Sequence, residues 1–317
     1  MKNRILPLIL LILALLIPLA FNARPSIVAY INLAMIYAVS TVGLNLLLGV
    51  AGQISLGHAA FMGIGGYTSA ILMMRYGVPS VISVLAGGLL AGFFGLVIGF
   101  PALRLKGFYL AVATMALGTA VTDVIKRMEV LGGDSGLTNV PSITILGYRF
   151  SSEFSKYYLY LAILLLSIFL TNNLLKSKTG MAFRAMRDSE VAAKVFGINV
   201  SYYKVLAFVI SSFLAGVAGA MYAHSLSYLH PDMFGFGLSI EFLAITIIGG
   251  IGTLWGPVLG SALWVIVPRL FGAKLEAMAG VLFGVILILV VLFLPRGLSE
   301  LIMRLNRLFK TKEGEQI

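Results

Sequence analysis

Long apolar runs alternate with short polar connections along almost the whole chain. Most runs approach the roughly 20 residues that an α-helix needs to cross a bilayer, and the connections contain glycine, proline and charged residues. This pattern predicts about ten membrane spans. The run at 239–251 is short and ends in glycine, so we predict a broken or re-entrant segment there. The runs cover residues 5–21, 27–48, 58–74, 81–100, 108–125, 157–175, 205–223, 239–251, 254–271 and 278–294.

The composition agrees with lipid as the surrounding solvent. Hydrophobic residues make up 60% of the chain and charged residues only 11%, whereas a soluble protein carries about 25% charged residues. In a bilayer only helices and closed barrels satisfy every backbone hydrogen bond, and barrel strands are short and alternate in polarity. The continuous apolar runs therefore predict an all-α fold, a polytopic transmembrane helical bundle of about 8–10 spans.

Lysine and arginine predict the orientation of the chain. With ten crossings and a cytoplasmic N-terminus, 15 of these residues fall on the inner side and 8 on the outer side. Because cytoplasmic loops carry the excess of basic residues in membrane proteins, we predict that both termini are cytoplasmic and that the protein lies in the cell inner membrane. This distribution accounts for the net charge of +11 without nucleic acid.

Two polar segments are long enough to project from the bilayer, within a single transmembrane domain that we predict over residues 1–317. Residues 126–156 form a predicted outer loop, and residues 176–204 form a predicted inner loop. In the inner loop, apolar residues recur at helical spacing and predict an amphipathic helix between 180 and 197. Such a helix either lies on lipid headgroups or docks into a groove of a cytoplasmic partner. The apolar residues are Phe183, Met186, Ala193 and Phe196.

Glycine interrupts the apolar pattern at two places, 49–57 and 249–256, and predicts an internal repeat. Paired interruptions of this kind in a transporter indicate a binding or gating region, because broken helices expose backbone donors and acceptors inside the membrane. Alternatively, each glycine only permits a tight turn or a close helix contact. We predict that the two stretches together line a translocation pathway. The predicted lining residues are Gly52, Gln53, Ser55, Gly57, His58, Gly249, Gly250 and Gly252.

Several stretches resemble the branched-chain amino acid permeases of ABC importers. Residues 187–199, with Ala192, Ala193 and Gly197 at the family's spacing, are similar to the loop through which these permeases contact their ATPases. Glu190 stands one place earlier than in the general motif. Further stretches resemble the N-terminal, C-terminal and outer-loop motifs of the same family, so the resemblance spans about residues 36–296. These stretches are 43–67, 247–260 and 132–138.

The resemblance implies a function and a set of partners. It implies a permease subunit of an ATP-driven importer, which translocates branched-chain, hydrophobic amino acids and catalyses no bond chemistry. The implied partners are two cytoplasmic ATP-binding subunits, a second homologous permease subunit and an extracytoplasmic substrate-binding protein. The sequence has no phosphate-binding loop, so ATP and Mg would be bound by the partners and no cofactor by this chain. The residues implied in coupling to the ATPase are Arg184, Arg187, Glu190, Ala192, Ala193 and Gly197.

Other functions remain open at this point. The same family resemblance covers permeases for urea and short amides. A self-sufficient secondary carrier or channel would need its own energy-coupling groups, and Glu241, Asp123 and His58 are the available ones. We predict no catalytic site, because the spans hold no paired carboxylates, histidine cluster or activated nucleophile. We predict no metal site either, because the chain has no cysteine, and His224 and His230 lack a third ligand.

Overall fold

The computed structural model describes residues 24–102, 105, 107–270 and short pieces between 284 and 300. The predicted span 5–21 and most of the span 278–294 lie outside these described residues. The helices are α1 (Pro25–Asn45), α2 (His58–Tyr76), α3 (Ser80–Ala102), α4 (Phe108–Arg127), α5 (Glu153–Lys176), α6 (Lys178–Asp188), α7 (Glu190–Val195), α8 (Val200–Leu226), α9 (Phe236–Gly249) and α10 (Gly256–Leu270).

Short irregular elements complete the described chain. A π-helical turn, Leu46–Val50, continues α1, and a 3-10 turn, Pro231–Phe234, precedes α9. Two further 3-10 turns, Glu129–Leu131 and Gly133–Ser135, follow α4. Four two-residue strands form two antiparallel pairs, β1 with β4 and β2 with β3. The strands are β1 (Leu137–Thr138), β2 (Thr144–Ile145), β3 (Tyr148–Arg149) and β4 (Tyr228–Leu229).

The predicted polytopic helical bundle is confirmed. Within the described residues, six helices are long and apolar enough to cross a membrane. One of them is Pro231–Gly249, which joins the 3-10 turn to α9 through Gly235 in an extended conformation. The predicted short, broken segment at 239–251 is therefore present, although α9 begins earlier, at Phe236, and ends at Gly249. The remaining five are Pro25–Val50, Ser80–Phe100, Phe108–Arg127, Glu153–Lys176 and Val200–Leu226.

Glycines bring α2, α3 and α8 together at the centre of the bundle. Gly65 of α2 lies against Gly216 of α8, and Gly219 of α8 lies against the backbone carbonyl of Met62. A Cβ atom on any of these glycines would collide with backbone atoms of the neighbouring helix. In a bilayer, helix association depends on such close contacts, because lipid offers no hydrophobic driving force between helices.

α1 packs against α8 and also against α5, α9 and α10. Thr41 of α1 hydrogen-bonds Ser261 of α10 at 3.2 Å, and Tyr37 stacks edge-on against Phe242 of α9 at 5.1 Å between ring centroids. Gly43 has space only for hydrogen, since a Cβ atom there would lie 2.7 Å from the carbonyl oxygen of Ser211. These contacts hold the C-terminal end of α1 beside the end of α9.

Residues 128–152, which are most of the outer loop predicted over 126–156, cover one end of the bundle. His224 of α8 donates from Nδ1 to the carbonyl oxygen of Pro141 at 2.7 Å, and its Nε2 hydrogen-bonds Ser69 of α2 at 2.8 Å. Thr144 donates its backbone N–H to Ser80 at 2.8 Å. His224 therefore ties this segment to two helices, which gives it a structural role.

Candidate functional site

The two glycine-interrupted segments meet at one end of the bundle. Asn45, the last residue of α1, is buried and donates from Nδ2 to the carbonyl oxygen of Thr253 at 2.7 Å. Its Oδ1 accepts the backbone N–H of Gly252, also at 2.7 Å. One amide side chain thus bridges the turn after α1 and the turn between α9 and α10, and the sequence-predicted pair of interruptions is brought into direct contact.

Glycine is required where these two turns touch. A Cβ atom on Gly49 would collide with the backbone nitrogen of Gly252, and one on Gly252 would lie 2.9 Å from the carbonyl oxygen of Gly49. Gly252 also has a φ of +76°, in the left-handed region that disfavours residues with a side chain. The close packing that we expected of single glycines is therefore observed here, at the contact between the two interrupted segments.

Arg187, in the last turn of α6, contacts both interrupted segments. Its Nη1 donates to the carbonyl oxygen of Gly49. Its aliphatic stem lies on Gly52, where a Cβ atom would be 3.1 Å from Cγ of the arginine. On Gly252, a Cβ atom would be 3.2 Å from Nη1. We call the meeting point of residues 45–52, residues 250–253 and Arg187 the junction.

An ion pair fastens the next part of the inner loop to the bundle. Glu190 begins α7, and its Oε1 lies 2.6 Å from Nζ of Lys204 in the first turns of α8. Lys204 is almost fully buried, with its side chain 6% exposed, and Glu190 is 25% exposed. The Glu190 carboxylate is engaged in an ion pair within the chain. We therefore expect a substitution at this position to disturb folding as well as any contact with a partner.

The predicted amphipathic helix over 180–197 is wrong in one respect, since the segment forms two helices. Ser189 separates α6 from α7 with an extended backbone, and its side chain caps α7 by accepting the N–H of Ala192 at 3.2 Å. The break rotates the second helix. Phe183, Met186 and Ala193 are buried as predicted, whereas Phe196 is 83% exposed.

The other residues predicted to couple to the ATPase divide between surface and interior. Arg184 donates from Nη2 to the carbonyl oxygen of Leu175, at the end of the preceding helix. Ala192 is exposed and Ala193 buried, as expected for adjacent positions on a helix in contact with the bundle. Gly197 has a φ of +79°, the conformation in which helices commonly end, and Asn199 then caps α8.

The residues after the first interruption carry buried polar atoms. Nε2 of His58 hydrogen-bonds the carbonyl oxygen of Ser40 at 2.9 Å. Within the described residues, no hydrogen-bond partner is present for Nδ1 of His58, Oε1 of Gln53 or Oγ of Ser55 and Ser40. A buried polar atom without a hydrogen bond costs free energy, so several on one segment are unusual in a purely structural element. Gly57 packs against Thr114 of α4.

Sequence reasoning missed Asn45, Lys204 and Thr253. A signal existed for the first two, because an amide and an ammonium group inside or beside an apolar run are costly in a membrane and point to specific partners. Thr253 contributes mainly its backbone carbonyl. Because every residue has a backbone carbonyl, this contact could not be recognised from the sequence. The groups considered for a carrier have local partners or lie at a helix end: Glu241 accepts a hydrogen bond from Trp264 at 3.1 Å, and Asp123 is exposed near the end of α4.

Together, the fold and the junction define a polytopic membrane transport protein with paired, glycine-interrupted helices. The chain belongs to the family described as the permease component of branched-chain amino acid transport systems, whose model matches residues 26–291. This membership confirms the resemblance noted in the sequence. It makes the chain a membrane permease component rather than an enzyme, and it implies partnership with ATPase and substrate-binding components.

Individual relatives support the same family. The high-affinity branched-chain amino acid permease LivM of Escherichia coli K12 is 32% identical, over 94% of this chain and 75% of that protein. BraD of Pseudomonas aeruginosa, a permease of the same description, is 26% identical over 89% of this chain and 97% of its own. The autoinducer 2 permease LsrC of Enterobacter sp. strain 638 is 30% identical over 82% and 77%. No solved structure shows significant similarity.

Proposed function

We propose that this chain is the permease subunit of an ATP-driven importer that carries branched-chain amino acids across the cell inner membrane. It would work with two cytoplasmic ATP-binding subunits, a second homologous permease subunit and an extracytoplasmic substrate-binding protein. ATP and Mg would be bound by the ATPases, and both termini of this chain would be cytoplasmic. The observation that carries the proposal is the similarity to LivM over 94% of the chain.

The substrate is tested with the complex isolated from its native host and reconstituted in proteoliposomes. We expect ATP-dependent uptake of radiolabelled leucine, isoleucine or valine. The similarity to LsrC makes autoinducer 2 the necessary competitor, and urea and short amides complete the panel. Uptake of one of these instead of the amino acids would overturn the proposed substrate. Uptake that needs neither ATP nor the partner subunits would identify a secondary carrier.

An exposed apolar patch on α7 supports docking of this segment to an ATPase. Val191, Val195 and Phe196 are 71%, 80% and 83% exposed, although Ala193 of the same segment is buried against the bundle. Large apolar side chains in such a position indicate a surface that another molecule covers. We propose that α6 and α7 insert into a groove of the ATPase, in the manner of an amphipathic helix and its receptor.

Phe196→Asp tests this docking directly. Because Phe196 packs little within the chain, we expect normal amounts of folded permease with at least a tenfold loss of co-purified ATPase and of uptake. Leu146→Asp is the matched control, since Leu146 is fully exposed at 103% in the turn between β2 and β3. Normal ATPase binding and normal uptake by Phe196→Asp would contradict docking.

We further propose that Gly52, Gln53, Ser55, Gly57 and His58 line the pathway, together with Gly249, Gly250 and Gly252. The buried polar atoms of Gln53, Ser55 and His58 support this, because water or a polar substrate would satisfy them when the segments separate. In the described conformation these three side chains are closed off from solvent. The residues would therefore become accessible only during the transport cycle.

Thiol accessibility tests this opening, because the chain has no cysteine of its own. We expect Ser55→Cys to react with a membrane-impermeant thiol reagent during ATP-driven transport and to be protected at rest, since Ser55 is fully buried. Ser212→Cys, buried between α8 and α3, should stay protected throughout, and Ser151→Cys, which is exposed, should always react. Labelling of Ser55→Cys that does not depend on turnover would contradict a pathway role.

A further inference from the structure

Three chain segments that are distant in sequence meet at Arg187. The residue itself belongs to the last turn of α6, and its side chain contacts the end of α1 with its π-helical turn and the turn after α9. The ends of α1 and α9 are both C-terminal helix ends, where unpaired carbonyl groups favour a cation. A single positive charge beside both ends is therefore favourable, and Arg187 supplies it.

In the π-helical turn, the carbonyl of Gly49 is the acceptor that this arginine uses. The N–H groups of Ala51 and Gln53 donate to the carbonyls of Leu46 and Leu47 at 3.0 Å each. The carbonyl of Gly49 instead receives Nη1 of Arg187. Since Gly49 and Gly252 are in backbone contact and Asn45 bonds both Gly252 and Thr253, a bond to Gly49 restrains both interrupted segments.

Arg187 differs from its neighbours on the same helix. Arg184 bonds the carbonyl of Leu175 at the end of α5, so it anchors α6 to the preceding helix. Lys178 lies at the opposite end of α6. Of the basic side chains on α6, Arg187 is the one for which the described residues show contacts to both interrupted segments.

We propose that Arg187 is a positioning residue for transport, which ties α6 to both interrupted segments so that a displacement of α6 separates or closes them together. This rests on the proposed function, in which an ATPase moves α6 and α7. It differs from the role implied by the family resemblance, where Arg187 contacts the ATPase. Here the arginine acts within the permease, and its loss should disconnect ATP hydrolysis from movement of the pathway.

The test compares uptake and ATP hydrolysis in the same proteoliposomes, made with the complete complex. For Arg187→Ala we expect uptake to fall at least tenfold while hydrolysis stays within about twofold of the unaltered complex, so the ATP used per substrate rises at least about fivefold. Arg187→Lys keeps the positive charge on a shorter side chain. Its ratio of ATP used to substrate transported should lie between those of Arg187→Ala and the unaltered complex. Lys178→Ala, at the far end of α6, should leave the ratio unchanged.

The outcomes separate this inference from the proposed function. Equal losses of uptake and hydrolysis in Arg187→Ala, loss of bound ATPase, or an unchanged ratio would each overturn the positioning role. If Arg187→Ala yields no folded complex, Arg187→Lys carries the test, and an unchanged ratio in that variant overturns the role. Failure of the unaltered complex to couple ATP hydrolysis to uptake would instead refute the proposed function.

Discussion

Gly219→Ala should abolish most of the folded protein. Gly219 of α8 lies against the carbonyl oxygen of Met62 in α2, and a Cβ atom there would collide with that oxygen and lie 3.0 Å from the backbone nitrogen of Gly66. Backbone atoms cannot swing aside as a flexible side chain can, so the two helices must separate. The same helices also meet at Gly65 and Gly216, so separation would disrupt the centre of the bundle.

Size-exclusion chromatography and thermal unfolding of the detergent-solubilised protein measure this effect. We expect little monodisperse Gly219→Ala protein and a clearly lower midpoint of unfolding, since inserting one methyl group into a tight contact costs about 1–3 kcal/mol or more. Gly237→Ala is the control, because no atom lies within 4 Å of the added Cβ and alanine favours helix. Equal stability of the two variants would mean that α2 and α8 do not cross as closely as described.

Glu190→Gln should destabilise the permease more than Lys204→Met does. The Lys204 side chain is only 6% exposed, and its Nζ lies 2.6 Å from Oε1 of Glu190. Removing one partner of a buried ion pair leaves an uncompensated charge, at a cost of about 3 kcal/mol. Removing the lysine instead leaves the Glu190 carboxylate, which is 25% exposed and retains water.

Thermal unfolding of the single and double variants checks this asymmetry. The double variant Glu190→Leu with Lys204→Met should recover most of the stability lost in Glu190→Gln, because no buried charge remains. Its ATPase binding then reports whether the carboxylate also serves a partner. Equal losses in the two single variants would show that Lys204 is solvated in the unaltered protein and that the ion pair contributes little.

The sequence alone was sufficient for the all-α class of the fold and for the family. In lipid each helix must satisfy its own backbone hydrogen bonds, so apolar runs along the chain report helices without knowledge of their neighbours. The same local logic located breaks at Gly52, Gly250 and Gly252, because glycine adopts without steric cost the positive φ at which a helix ends. For the short run at 239–251 only the N-terminal boundary was wrong, since α9 begins at Phe236 after a 3-10 turn that has no apolar periodicity.

Only the tertiary structure decided what these breaks contact. Asn45 and Gly252 are far apart in sequence, and their hydrogen bond exists because α1, α9 and α10 pack side by side. Phe196 is a second example. Its spacing predicted that it would be buried with Phe183, but after the helix break at Ser189 it is exposed. Helix formation is local in a membrane, whereas the junction and the exposed patch of α7 depend on how whole helices are arranged, which residue spacing does not encode.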